Sequence, residues 1–412
     1  MEILNETSLP AREAFTNQLN GSECSPADYA HAQNVWNTFE LQNLKQYLEL
    51  YLFADVCQLT DVFQDYRKTC SEAYKLDPAY FLSAPQLSFN ALLRFIKRPI
   101  ELISDAEMYR MIQTSIRSGI CRASVRYASA NNKYIGSLYR PDEESLYILY
   151  IDATNLYGYA KSQALPNIHF TWLSEEECRA ADLALTGNQE SRDAFFKIDP
   201  GMLGPYYILE VDLIYPPEIH DRDDDYPMAP QLMNVRAEML SETHHRLLVN
   251  YFNGVAPGSK KLICSFLPCL KYTVFGQNLQ FYLSRGMKLT KVHRGIKFTG
   301  LAYLAGYIKH NTEMRQANRG DETKKNFYKL MNNPPYGKTI ENVAKRSDIR
   351  LIVDELKVVK LSEKPNCIDF RMFASNQFGV EMRKTKSLIN KPFHVCRHDF
   401  IVGISILLAT KQ

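Results

Sequence analysis

Lys329 and Asn333 lie four residues apart, a spacing that puts both on one face of a helix. Lys325 stands one turn earlier on the same stripe, and Tyr336, Gly337 and Lys338 follow the pair Pro334-Pro335. Arg315 lies further upstream. A row of cations ending on an aromatic ring suits a triphosphate with a stacked base or sugar, since ammonium groups neutralise phosphate oxygens and the ring offers a flat apolar face. The same row also reads as a solvated lysine face. A second constellation, YILYIDATNLYGY over residues 147–159, closes an aromatic, β-branched run on Asp152, with Leu156 and Tyr157 just beyond. A carboxylate at the mouth of a buried strand is costly unless something binds it.

Such groups need rigid elements behind them. Apolar residues recur at three and four over 40–75 (Leu44, Leu48, Leu52, Val56, Leu59, Val62, Phe63), which predicts a helix. SAPQLSFNALLRF (83–95) reads as a turn entering a second helix. Ser104 and Glu107 have capping-box spacing and predict a helix ending near Gly119. SLYILYID (145–152) reads as a buried strand and PYYILEVDLIYP (205–216) as an alternating one. HDRDDDYPMAP (220–230) reads as loop, and residues 236–252 as an amphipathic helix. Residues 300–333 predict a helical hairpin that turns at Arg319-Gly320-Asp321 and stops at Pro334. IRLIVDE, IDFRMF and GVEMRK predict further strand, and FIVGISILLAT one more apolar helix or strand.

A chain of 412 residues has room for two or three domains with real cores. Its 45% hydrophobic and 12% aromatic content indicates a soluble folded protein, and no run nears the roughly 18 apolar residues of a membrane span. MEILNETSLPAREAF is neither signal nor transit peptide, so the expected location is cytoplasm or nucleus. Nine scattered cysteines without a C-x-x-C pair predict buried thiols rather than a disulfide framework or zinc ribbon. Residues 1–230 hold 19 Lys and Arg against 33 Asp and Glu, a net −14; residues 231–412 hold 30 against 13, a net +17. That asymmetry suggests a polyanion partner for the second half, or else two solvated faces of opposite sign. No G-x-S-x-G, H-E-x-x-H or Walker loop occurs, which argues against hydrolase, zinc-protease and P-loop classes. Asp221, Asp223, Asp224 and Asp225 lack calcium-loop spacing and read as a solvated acidic turn. His394, Cys396 and His398 lack an evident fourth zinc ligand, and His244-His245 reads as surface.

Taken together and in order, the two constellations carry a family resemblance. Asp152-Ala-Thr-Asn-Leu156-Tyr157-Gly158 resembles motif A of family B DNA polymerases, D-x-x-S-L-Y-P, with Asn155 and Gly158 as modest departures. Lys329-Leu-Met-Asn-Asn333-Pro-Pro-Tyr336-Gly337 resembles their motif B, K-x-x-x-N-S-x-Y-G. Tyr51-Leu-Phe-Ala-Asp55 resembles the third motif of the proofreading exonuclease, and Arg117-Ser-Gly119-Ile120 the glycine-bearing link to the polymerase. HDRDDDYPMAP and NLQFYLSRGMKLTKVHR resemble the protein-primed branch found in linear plasmids, organelles and Polinton/Maverick transposons.

The resemblance implies a mixed α/β chain: an incomplete right-hand polymerase palm and helical fingers with the tail of an RNase H-like exonuclease domain. Residues 1–75 would be that tail and 76–144 a linker and palm entry. Residues 145–299 would be palm with motif A and an insert like the terminal-protein region, 300–345 the fingers, and 346–412 a return to the palm. Asp152 and the Ala153 carbonyl would hold two Mg²⁺, a hard cation that takes oxygen ligands. Leu156 and Tyr157 would meet the deoxyribose, Lys329 and Arg315 the triphosphate of a deoxynucleoside triphosphate, and Asn333 and Tyr336 the nascent base pair. Arg117, Gly119, Gly337 and Lys338 would line a DNA primer-template, with Arg122 beside them; Arg117 and Arg122 read equally as helix-capping groups. A terminal priming protein is a possible partner by the same resemblance. Motif C, D-T-D, is not in the sequence, and the first two exonuclease motifs belong upstream of Met1. The expectation is therefore a piece from the middle of a polymerase that is inactive alone, or a catalytically dead DNA-binding remnant of a mobile element.

Overall fold

The computed structural model describes residues 2–17, 19, 21–117, 120, 127–150, 155–199, 202–254, 258, 260–341 and 348–383. Asp152, Ala153, Gly119, Arg122, and the run 384–412 with His394, Cys396 and His398 lie outside them. The chain divides into two compact units, Met1–Leu82 and Ser83–Gln412. Among the described residues no helix is long and apolar enough to cross a membrane, and the described cysteines are free thiols.

In the first unit, α1 (Pro26–Thr38) starts on Ser25, whose hydroxyl accepts from the Asp28 amide, with Pro26 in the first turn. The helix expected over 40–75 is α2 (Leu44–Tyr74), capped by Asn43 and ended by Lys75 in the left-handed region at φ 56°. Its periodic apolar face is open: Leu52 is 61% and Leu59 68% exposed. The described residues of this unit therefore do not cover the stripe that predicted the helix. From within the helix, the Arg67 guanidinium donates through Nε and Nη2 to Asp77, beyond its end, in a bidentate fork.

The second unit is built on an antiparallel sheet of order β1-β6-β2-β5: β1 (Leu165–Trp172), β2 (Tyr206–Ile214), β5 (Cys269–Phe275) and β6 (Lys288–Leu301). Alternation along β2 sends Leu209, Val211 and Leu213 to one face and Ile208 to the other. On the first face pack α6 (Glu175–Thr186), α7 (Gln189–Phe196) and α10 (Gly276–Ser284), which bring Ala181, Leu185, Leu279, Tyr282 and Leu283. On the second, α4 (Ala106–Thr114) lays Met108, Met111 and Ile112 over Ile208, Ile296 and Phe298. Gly295 of β6 lets Leu209 and Leu173 close over it; a Cβ there would stand 2.6 and 2.7 Å from their methyl carbons.

Between β2 and β5 the chain makes α8 (His220–Asp223), then the two-stranded ladder β3 (Gln231–Asn234) and β4 (Lys260–Ile263), with α9 (Glu242–Phe252) in the excursion between them. After β6 come three helices, α11 (Ala305–Ala317), α12 (Glu322–Asn332) and α13 (Pro334–Ile340). The small sheet β7-β9-β8 follows, from β7 (Asp348–Ile352), β8 (Cys367–Ala374) and β9 (Gln377–Met382), covered by α14 (Glu355–Ser362). Two further helices, α3 (Ala84–Phe95) and α5 (Leu156–Lys161), back the α11–α13 group.

The fold is mixed α/β as expected, and the helices at 44–74, 84–95, 305–317 and 322–332 and the strand at 206–214 stand where the pattern put them. Five expectations are corrected. The run 145–150 is not a buried strand: Leu146 bridges only Asn131, and Tyr147, Ile148, Leu149 and Tyr150 are exposed outside any strand. β-propensity needs partner N–H and C=O groups, and among the described residues none flanks this run beyond Asn131. α4 is capped by Asp105, not Ser104: its carboxylate accepts from the Glu107 and Met108 amides. The helix stops at Thr114, where the Thr114 and Ser115 hydroxyls bond back to the Arg110, Met111 and Ile112 carbonyls. Residues 236–252 break into one turn (Ala237–Met239) and α9, because Ser241 caps a new start by accepting from the His244 amide. In the acidic turn, Asp223 is buried and clamped by Arg222 at 2.8 Å and Arg285 at 3.6 Å, a structural carboxylate rather than a solvated one.

Asp105 also accepts from Trp172 Nε1 at 3.2 Å, tying α4 to β1. The Met108 amide, the Trp172 indole and the Glu107 amide hold its carboxyl below the ordinary 3.8. Because the folded value is the lower one, this contribution is whole above pH of about 4 and fades as pH falls through the depressed value. Asp105→Ala is expected to lower the urea midpoint at pH 7, and to lower it less at pH 3.

Candidate functional site

Tyr157, Lys329, Asn333 and Tyr336 stand on α5, α12, the turn after it and α13, which meet with α11 at one junction. α12 is fixed at its start by Asp321, whose carboxylate accepts from the Lys324 amide, and buries Phe327, Tyr328 and Met331. It ends at Asn332 because Pro334 and Pro335 lack the amides that would continue it. The same prolines open α13, so Asn333 is at once the C-cap of one helix and the N-cap of the next. Tyr336 and Gly337 thus sit on a second short helix pivoting at Asn333.

α5 begins at Asn155, held in the left-handed region at φ 56°, which asparagine tolerates. Its side chain lies over Gly158, where a Cβ would come within 2.4 Å of the amide. The two departures from the motif A pattern therefore accommodate each other. One residue into the helix, Tyr157 meets Tyr336 with ring centroids 4.7 Å apart and planes tilted by 36°. Sequence positions far apart are brought to ring contact, while Leu156 is half-buried beside them.

The cations divide by their partners. Lys325 is tied to Glu322 at 2.8 Å, and this bond, with a smaller contribution from Arg315, holds the Glu322 carboxyl below its ordinary value. Lys338 is paired with Glu341 at 3.3 Å and half-buried. Lys329 is exposed, and among the described residues its ammonium has no ion-pair partner within 4 Å. Asn333 and Gly337 are exposed; a Cβ on Gly337 would meet nothing within 4 Å. Arg117 is only 9% exposed, donates to the Thr273 carbonyl at 3.1 Å and lies 3.8 Å over the Tyr272 ring. Its guanidinium is thus engaged within the core-facing side of β5. Tyr51 and Asp55 belong to the exposed face of α2 in the first unit.

Sequence reading missed the polar groups that hold this junction. Lys161, 8% exposed, donates to the Asn332 carbonyl, and Asn311 Nδ2 donates to Asn332 Oδ1 at 2.9 Å. The Tyr307 hydroxyl donates to the Met331 carbonyl at 3.0 Å, and its ring packs edge-on against Phe95 of α3. The spacing of Lys161 four residues after Tyr157 was the available signal. For the metal, the implied ligands Asp152 and Ala153 lie outside the described residues, and among those described no group of three or more His, Cys, Asp or Glu gathers. One carboxylate and one carbonyl fall short of a two-metal clamp, so the residues at hand do not fit the complete group.

No protein-family model matches the chain, and no curated protein matches it. Among solved structures it is similar to Phi29 DNA polymerase complexed with primer-template DNA, at 14% identity and a TM-score of 0.37, over 94% of this chain and 49% of that one. It is likewise similar to an orthorhombic crystal form of Phi29 DNA polymerase (13%, TM-score 0.38, 93% and 49%). A third similar structure is that polymerase with single-stranded DNA (13%, TM-score 0.37, 95% and 51%). The chain spans about half the length of the polymerase chains it matches.

Proposed function

We propose that this chain is a segment of a DNA-directed DNA polymerase of the protein-primed family B type, and that the α5–α13 junction receives the incoming deoxynucleoside triphosphate. The observation that carries the reading is the Tyr157–Tyr336 contact, which joins the two motif-like stretches at one place; Lys329, on the helix that leads to Tyr336, has no ion-pair partner among the described residues. In this reading Lys329 and Arg315 take the phosphates, Tyr157 reads the sugar, Asn333 and Tyr336 border the base pair, and Gly337 lies along the DNA. The sequence contains no D-T-D motif, which in the resembled family supplies the second metal-binding carboxylate.

The purified 412-residue chain is accordingly expected to bind primer-template DNA and nucleotide but to extend a primer little or not at all. Mg²⁺-dependent extension that disappears in Asp152→Ala would overturn the expected inactivity. Failure to bind any nucleotide would overturn the site, and would favour a reading as a DNA-binding remnant, for which the +17 half is the supporting observation.

Gly337 offers a sharper test of ligand approach. Among the described residues nothing fills the space of its Cβ, and no left-handed φ demands glycine there. Gly337→Ala is expected to stabilise α13 by about 0.5–1 kcal/mol in urea unfolding. If DNA or nucleotide passes close to this backbone, the same variant binds it more weakly, so stability and binding move in opposite directions.

A further inference from the structure

Deepening the nucleotide-site reading, and resting on it for its functional half, we infer that Lys161 is a positioning residue: a buried latch that sets Tyr157 against Tyr336 by holding the end of α12. The register of the contacts carries this. Tyr157 and Lys161 are four apart on one face of α5, and Asn332 and Tyr336 are four apart across the α12–α13 pivot. Tyr157 meets Tyr336 and Lys161 meets Asn332, so the two segments run past each other in opposite directions with two rungs between them.

The chemistry of the second rung is specific. Burying an ammonium is costly, and packing alone would be served by an apolar side chain of the same length. What Lys161 finds is the negative end of a helix: Pro334 and Pro335 have no amides to give the Leu330 and Met331 carbonyls, and the Tyr336 amide, four residues past Asn332, bonds to the Asn333 carbonyl instead. Neighbouring contacts leave this end little freedom: Tyr307 holds the Met331 carbonyl, and Asn311 holds the Asn332 side chain. The Asn332 carbonyl is the group that faces α5, and it lies immediately before the Asn333 pivot on which Tyr336 swings. A displacement of α5 along this rung moves Tyr157 and leaves α13 without its fixed reference.

The test reads ring contact and ligand binding separately. Photo-oxidative dityrosine formation between Tyr157 and Tyr336 is quantified from the cross-linked tryptic peptides by mass spectrometry, with deoxynucleoside triphosphate affinity measured on the same proteins by equilibrium dialysis. Lys161→Met is expected to lower the 157–336 cross-link several-fold and to weaken triphosphate binding several-fold. Lys161→Arg, which keeps a charged donor, restores both. Circular dichroism verifies the fold; should Lys161→Met not fold, Lys161→Gln takes its place with the same expectation. An unchanged cross-link yield in a folded Met or Gln variant overturns the latch, as does equal loss in Lys161→Arg. Absence of nucleotide binding in the wild-type chain refutes the functional reading instead, and the latch then stands or falls on the cross-link alone.

Discussion

Lys329→Ala is expected to weaken deoxynucleoside triphosphate binding by about 10- to 100-fold and to leave folding stability within about 0.5 kcal/mol. The two halves of that result have one cause. Among the described residues the Lys329 ammonium has no carboxylate partner, so its removal breaks nothing in the fold. A phosphate arriving there would gain a charge-assisted contact that Lys329 need not give up an existing ion pair to make. Lys325, one turn earlier, is the internal control. It is bonded to Glu322, and Lys325→Ala is expected to shift affinity far less than Lys329→Ala. Equal losses at both positions, measured by equilibrium dialysis with labelled nucleotide, would mean a diffuse electrostatic field rather than a site.

DNA affinity should fall steeply with salt. Each phosphate neutralised contributes a slope of about −0.9 in log K against log salt, so four contacts give a loss of roughly 100-fold between 50 and 200 mM. The net +17 over residues 231–412 is the reservoir for such contacts. Fluorescence anisotropy with a labelled primer-template gives the slope directly. A slope near zero would rule out both the polymerase reading and the DNA-binding remnant, since each requires the basic half to lie along a polyanion. Several cations are already engaged: Lys297 with Glu177, Lys309 with Glu313, Lys324 with Asp321. The slope is therefore expected to count only a fraction of the basic residues.

Much of the helical framework was legible beforehand, because three-four periodicity and punctuation by proline and glycine act locally. α2, α3, α11, α12 and the strand β2 follow from such signals. The long strand β6 escaped notice: its apolar positions Leu289, Val292, Ile296 and Phe298 fall out of strict alternation. Register shifts against β2 near Thr290 and His293 account for that irregularity, and a bulge is a property of the pair, invisible in one strand. The run 145–150 failed in the opposite way, since its composition suits a sheet whose partner strand the described residues do not provide.

By itself, the sequence determined which chemical groups exist and their local order: an Asp152 followed by Tyr157, a Lys329 followed by Asn333 and Tyr336, a basic second half. It determined the helices that carry the second set, since periodicity, Asp321 and the two prolines act within a few residues. Only the tertiary structure decided which of these groups meet and which are engaged elsewhere. Tyr157 and Tyr336 come to 4.7 Å, Arg117 turns into the sheet to cover Tyr272, and among the described residues Lys325 has an ion-pair partner while Lys329 has none. The reason is physical: partner choice for a ring or a charge depends on distances between segments far apart in the chain, set by the burial of other residues. Lys161 is the clearest case, an ordinary lysine in the sequence whose buried position at the end of α12 follows only from the packing of α5 against the α11–α12 pair.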